Sequence, residues 1–82
     1  MSYWVYILQC ADNTLYTGIS NDVEKRVAVH NEGAGAKYTR GRRPVKLIYS
    51  EECENKSAAL RREIKIKKLT QKEKIALTKQ AK

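Results

Sequence analysis

Two phenols, a guanidinium, an imidazole and a carboxylate stand out of the sequence by where they fall: Tyr6, Tyr16, Arg26, His30 and Glu63. Arg26 and His30, one helical turn apart, share the apolar arc set by Val23, Val27 and Val29. Glu63 lies inside the arc set by Ala59, Leu60, Ile64 and Ile66, with Arg61, Arg62, Lys65 and Lys68 opposite. A buried carboxylate is unfavourable unless it is paired or binds a cation. Together these are the groups that phosphodiester cleavage requires. Glu63 would hold Mg²⁺ or Mn²⁺ as the one protein ligand, with waters and phosphate oxygens completing the shell. Arg26 would clamp the phosphate, and a phenol or imidazole would move protons. The same residues also have an ordinary reading, in which His30 is a satisfied core histidine, Arg26 snorkels, and Glu63 pairs with Arg26 or Lys67.

The general base is open between Tyr16 and His30. An unperturbed phenol has a pKa of about 10 and imidazole about 6.5, so a phenolate costs roughly 4 kcal/mol at pH 7 while neutral imidazole costs almost nothing. A metal-bound water and Arg26 would lower that cost for Tyr16.

The elements that must position these groups are legible. Residues 3–10, YWVYILQC, read as a strand, ADNT as a turn, and residues 15–20, LYTGIS, as the hairpin partner. Trp4, Tyr6 and Leu8 share one face of the first strand, as do Tyr16, Gly18 and Ser20 on the second. Gly18 would leave that face open to an approaching substrate. Ser20 or Asn21 caps a helix from near Asp22 to about Asn31, stopped by the GAG at 33–35. A basic loop then leads to a third strand at 45–53. Ser57 caps a helix over about 58–69, and Thr70 caps a last helix through residue 80, in a lysine-rich tail from about 70. The order is ββαβαα in one domain over residues 1–82, an α+β arrangement.

The chain has 82 residues, 17 Lys and Arg against 9 Asp and Glu, and a net charge of +8. Its excess is concentrated in KYTRGRRPVK, residues 37–46, and in residues 61–74. That balance fits a polyanionic partner, nucleic acid first. Lys37, Arg40, Arg42, Arg43 and Lys46 would track a backbone, and Tyr38 would stack on an unpaired base. No 18-residue apolar stretch or secretory leader is present, so a cytoplasmic protein without a membrane partner is expected, as a monomer. Cys10 and Cys53 lack metal-ligand spacing and read as two buried free thiols.

VYI at 5–7 and YTG at 16–18 resemble the paired triplets of the GIY-YIG nuclease superfamily. Arg26 follows Tyr16 at the family's distance, His30 one turn later, and Glu63 lies on the helix after the third strand. AKYTRGRRPVKLIYSE and ALRREIKIKKL are similar to the small single-domain YhbQ-like bacterial branch, and the resemblance spans about residues 3–70. Val5 and Thr17 replace a glycine and an isoleucine of the triplets. Ile19 stands where excision-repair members have lysine, and no asparagine follows Asn55 where many members have one.

The resemblance implies a three-stranded antiparallel sheet flanked by helices and a single-metal site for hydrolysing DNA. On this pattern Glu63 is the metal ligand, Arg26 and Tyr6 hold the scissile phosphate, and Tyr16 or His30 activates water, with Tyr16 slightly ahead. The implied function is a structure-selective endonuclease in DNA repair or recombination, in the bacterial cytosol or nucleoid. Its substrates would be branched, flapped or single-stranded DNA ahead of plain duplex, with RNA as an alternative. Two other readings stand beside it: a nucleic-acid-binding module of the same fold that cleaves weakly or not at all, and a basic RNA- or ribosome-associated protein.

Overall fold

The computed structural model describes residues 2–80. Three strands, β1 (Tyr3–Gln9), β2 (Leu15–Ser20) and β3 (Lys46–Cys53), form an antiparallel sheet in the order β2-β1-β3. Four helices accompany it: α1 (Val23–Asn31), α2 (Lys37–Arg40), α3 (Lys56–Lys67) and α4 (Gln71–Gln80). This is the α+β fold expected from the sequence.

The central position of β1 explains its composition. Val5, Tyr6, Ile7 and Leu8 are all buried because helices cover both faces. On one face Val5 and Ile7 pack with Tyr49 of β3 and with Ala59 and Ile66 of α3, and Leu77 of α4 joins them. On the other, Tyr6 and Leu8 pack with Cys10 and Val45, with Tyr16 of β2 and with Val23 and Val27 of α1. Tyr6 stands opposite Gly18, and Leu8 opposite Tyr16, so both phenols share the α1 face. The pairing of β1 with β3 shifts register between Ile7 and Leu8.

Local hydrogen bonds set the element ends. Asp12 Oδ1 accepts from the Thr14 amide and hydroxyl, closing the hairpin turn. Asp22 caps α1 by accepting from the Lys25 amide at 3.2 Å. Thr70 and Glu73 form the reciprocal box that starts α4: Thr70 Oγ1 accepts from the Glu73 amide at 3.1 Å, and Glu73 Oε1 from the Thr70 amide at 2.9 Å.

Five details differ from the sequence reading, the first being that Asp22, rather than Ser20 or Asn21, caps α1. Asn55, rather than Ser57, caps α3 by accepting from the Ala58 amide at 2.9 Å, and Ser57 instead accepts from Arg61. The basic loop contains a single helical turn, α2. Cys10 is buried as expected, whereas Cys53 is only half-buried; both are free. On α3 the buried stripe is Ala59 and Ile66, while Leu60 and Ile64 turn outward at 41% and 55% exposure. Glu63 therefore lies at the edge of a stripe centred away from the leucine. Among the described residues no helix is long and apolar enough to cross a membrane.

Candidate functional site

Gly18 and Tyr6 explain one another. A Cβ built on Gly18 would stand 2.6 Å from Tyr6 Oη and 3.1 Å from Tyr16 Cε2. The room expected for a substrate is thus filled by the Tyr6 phenol, and Gly18 serves to seat that ring across the edge strand.

From there a buried polar chain runs inward. Tyr6 Oη lies 3.1 Å from His30 Nε2, and His30 Nδ1 lies 2.8 Å from Thr39 Oγ1. His30 and Thr39 are both 0% exposed. Gly35 packs so tightly on the imidazole that a Cβ there would collide with Nδ1. Both ring nitrogens are engaged, so the histidine reaches solvent chemistry only through Tyr6. Burial, and then the Arg26 charge, lower the His30 pKa and keep the ring neutral. Burial, helped by Tyr16, pushes the Tyr6 phenol up to about 12; Arg26 beside it pulls the other way, and Glu63 raises it further.

Tyr16 is half-buried within a column of aromatic rings. Its ring centroid lies 5.2 Å from that of His30 and 5.9 Å from that of Tyr38, against which it is stacked. Arg42 covers Tyr38, its guanidinium carbon 4.1 Å from the ring centroid. The same guanidinium donates to Asp12 Oδ2 at 3.0 Å and to the Tyr38 carbonyl at 2.8 Å. Tyr38, 40% exposed, is thus held between a ring and a guanidinium, and Arg42 is paired with Asp12. Arg43 is likewise turned to the loop, donating to the carbonyls of Arg40 and Asn31. Lys37, Arg40 and Lys46 are exposed and in no ion pair among the described residues, so they remain free to meet a backbone.

Glu63 comes from α3, which packs on the sheet face opposite the two tyrosines. Its side chain is 16% exposed and pairs with Lys67 at 3.4 Å. Its charge still reaches Tyr6, as the raised phenol pKa records. No group of three His, Cys, Asp or Glu side chains is gathered among the described residues. The donor set therefore fits a hard divalent ion only in the form of one carboxylate supplemented by water and phosphate oxygens, which Mg²⁺ accepts.

Three contributors have no signal in the sequence pattern. Thr39 holds His30, Gly35 makes room for it, and Asn31 closes the loop by bonding both the amide and the carbonyl of Val45 at 2.7 and 3.1 Å. Each acts across a loop, where helical and strand periods say nothing.

Comparison with known proteins agrees with this fold. The profile of the GIY-YIG catalytic domain matches residues 2–76. A UPF0213 protein of Clostridium perfringens is 60% identical over 74 residues, covering 90% of this chain and 80% of that one. A UPF0213 protein of Staphylococcus aureus is 53% identical over 79 residues, 96% of each chain. The solution structure of a UPF0213 protein from Bacillus halodurans superposes with a TM-score of 0.61 at 42% identity, covering 96% of this chain and 84% of that one. A solution structure from E. faecalis gives 0.63 at 38% identity, over 96% and 85%. With its triplets, its sheet order and the matched profile, the chain belongs to the GIY-YIG family.

Proposed function

We propose that the chain is a nucleic-acid-binding domain of the GIY-YIG fold in which phosphodiester cleavage, where it occurs, is slow. The observation that carries this reading is the position of Glu63: a lone carboxylate, paired with Lys67, on the helix behind the sheet. Lys37, Arg40 and Lys46 supply the contacts to the backbone of DNA, or of RNA as the alternative.

A second reading, a Mg²⁺- or Mn²⁺-dependent DNA endonuclease, is favoured by Tyr6 and His30 in hydrogen-bond contact beside Arg26. In it Arg26 holds the scissile phosphate, and Tyr6, kept protonated by burial, donates to a phosphate oxygen. Tyr16 is the base, because it is half-exposed and His30 is not. Glu63 would hold the ion, whose chemistry is to neutralise the phosphate and acidify a bound water. Placement in the YhbQ-like branch, a preference for branched or flapped DNA, a monomeric state and a role in cytosolic repair or recombination belong to the same reading.

One experiment separates the two. Branched, flapped, single-stranded and duplex DNA are incubated with wild type and Glu63→Ala, in Mg²⁺ and in EDTA, with binding followed by anisotropy. Binding that survives Glu63→Ala without metal-dependent cleavage supports the first reading. Cleavage in Mg²⁺ that EDTA and Glu63→Ala each reduce at least about a hundredfold establishes the second. If no nucleic acid binds, both are lost.

A further inference from the structure

The chain has four glycines, and the fold itself requires three of them. A Cβ on Gly18 would strike Tyr6 Oη, and one on Gly35 would strike the His30 ring. Gly33 adopts a φ of +86°, and a Cβ there would stand 2.9 Å from Arg43 Nη1. Gly41 has no such reason to be bare. Its φ of −95° and ψ of 7° are open to any L-residue, and a Cβ built on it would meet nothing within 4 Å among the described residues. The remaining use of a missing side chain is to let something outside the chain lie against the backbone.

Gly41 lines a cleft of about 430 Å³ with Asn31, Arg40, Arg43 and Pro44, none of them acidic. Asn31 has committed its side chain to Val45, as donor and as acceptor. Arg40 is exposed and in no ion pair among the described residues. Arg43 is held in place, donating through Nε to the Arg40 carbonyl at 3.0 Å and through Nη1 to the Asn31 carbonyl at 3.3 Å. Those partners are neutral, so the guanidinium keeps its full charge, whereas that of Arg42 is balanced by Asp12. Both bonds leave the Nη2 donors of Arg43 unused, on a planar fork already fixed in orientation.

We propose that this cleft seats one phosphodiester of a bound nucleic-acid strand, with Arg43 as the fixed charge, Arg40 as the free one, and Gly41 as the gap where the flanking sugar lies against the main chain. The proposal rests on the nucleic-acid-binding reading above and adds where the backbone passes. The cleft shares no residue with the chain from Tyr6 through His30 to Thr39, so it is a second contact point and not part of that site. Both arginines meet the same phosphate, so the pair releases the counterions of one phosphate and not of two.

The test separates stability from binding in the full-length protein. Gly41→Ala and Gly41→Leu should melt at or above the wild-type temperature, since the added carbons meet open space. Affinity for a labelled single-stranded oligonucleotide should nevertheless fall, about threefold in Gly41→Ala and about tenfold in Gly41→Leu, as the strand is pushed off its charge-assisted contacts. Wild-type affinity in Gly41→Leu overturns the proposal. So does a lowered melting temperature in either variant, which would give the glycine a role in the fold.

Replacing both Arg40→Gln and Arg43→Gln should reduce the logarithmic salt slope on the single strand by about 0.7, the share of one phosphate. A reduction of about 1.4, or none, overturns the shared seat. In ¹⁵N-labelled wild type the Gly41 amide resonance should move on addition of the oligonucleotide and hold on addition of equimolar inorganic phosphate. Equal movement with both would make the cleft a site for free phosphate and overturn its assignment to a strand. If the wild type binds no oligonucleotide, the nucleic-acid reading falls and this site with it; if it binds and the glycine variants bind alike, the site alone falls.

Discussion

The two faces of the sheet are built on opposite principles. Behind it, Val5, Ile7, Ala59 and Ile66 make a dry apolar core against α3. In front, under α1, the same strand contributes Tyr6 to a buried chain of polar groups through His30 and Thr39, each with a partner. One strand serves both because successive side chains alternate, so a single tetrapeptide, VYIL, feeds both layers. The dry face gives the fold its stability and can be changed only at a cost in packing. The polar face gains nothing net from burying its groups; its bonds offset their desolvation and leave a defined geometry. Thr17 is the exception that marks the boundary. It lies on the dry face, 3% exposed, and its hydroxyl has no partner among the described residues.

Breaking the dry face should give the largest effect. Ile66→Ala opens a cavity against Val5 and Ile7 and should cost about 3 kcal/mol in urea unfolding. The ring resonances of Tyr6 and His30 should keep their wild-type positions in the folded fraction. Their displacement would show that the two faces are one cooperative unit and not two.

Thr17→Val sharpens the comparison in the opposite direction. Removing an unpartnered hydroxyl at similar volume should raise stability by about 1 kcal/mol. A loss of stability would mean that the hydroxyl is satisfied and that the back face is not dry.

The smallest effect reads the polar face through pH. Burial, then Arg26, hold His30 below the usual imidazole value of about 6.5, so between the lowered value and about 6.5 the unfolded chain binds more protons than the folded one. Stability is therefore level above about pH 6.5 and falls as pH drops through that window. His30→Gln should abolish the dependence. Asp12, held below the carboxylate range chiefly by the Thr14 hydroxyl, adds its loss only at more acidic pH. Parallel curves for wild type and His30→Gln between about pH 7.5 and 5 would rule out a neutral buried histidine.

What the sequence discloses and what it hides follow from range. The hairpin, β3 and the three longer helices are local patterns, and periodicity finds them. Tyr6, Arg26, His30 and Glu63 are also legible, because a polar residue inside an apolar arc is a local anomaly. The rotation of α3 is less so: Leu60 and Ile64 dominate a hydrophobicity wheel, but the small Ala59 lets the helix sit close to β1, and the buried stripe follows it. That rotation turns Leu60 and Ile64 to solvent and leaves Glu63 at the edge of the buried stripe. Thr39, Gly35 and Asn31 act through a loop whose closure depends on Val45 and Arg43, contacts that no window of residues contains. The stacking of Arg42 on Tyr38 and its reach to Asp12 likewise join separate elements, so no local pattern predicts them.

The Arg42–Asp12 contact has a further consequence for how strongly salt acts on binding. The segment from Lys37 to Lys46 carries five cations, but Arg42 is balanced by a carboxylate and Arg43 faces loop carbonyls. If only Lys37, Arg40 and Lys46 displace counterions, the loop contributes a logarithmic slope of about −2.7 on duplex DNA, where five free cations would give about −4.5.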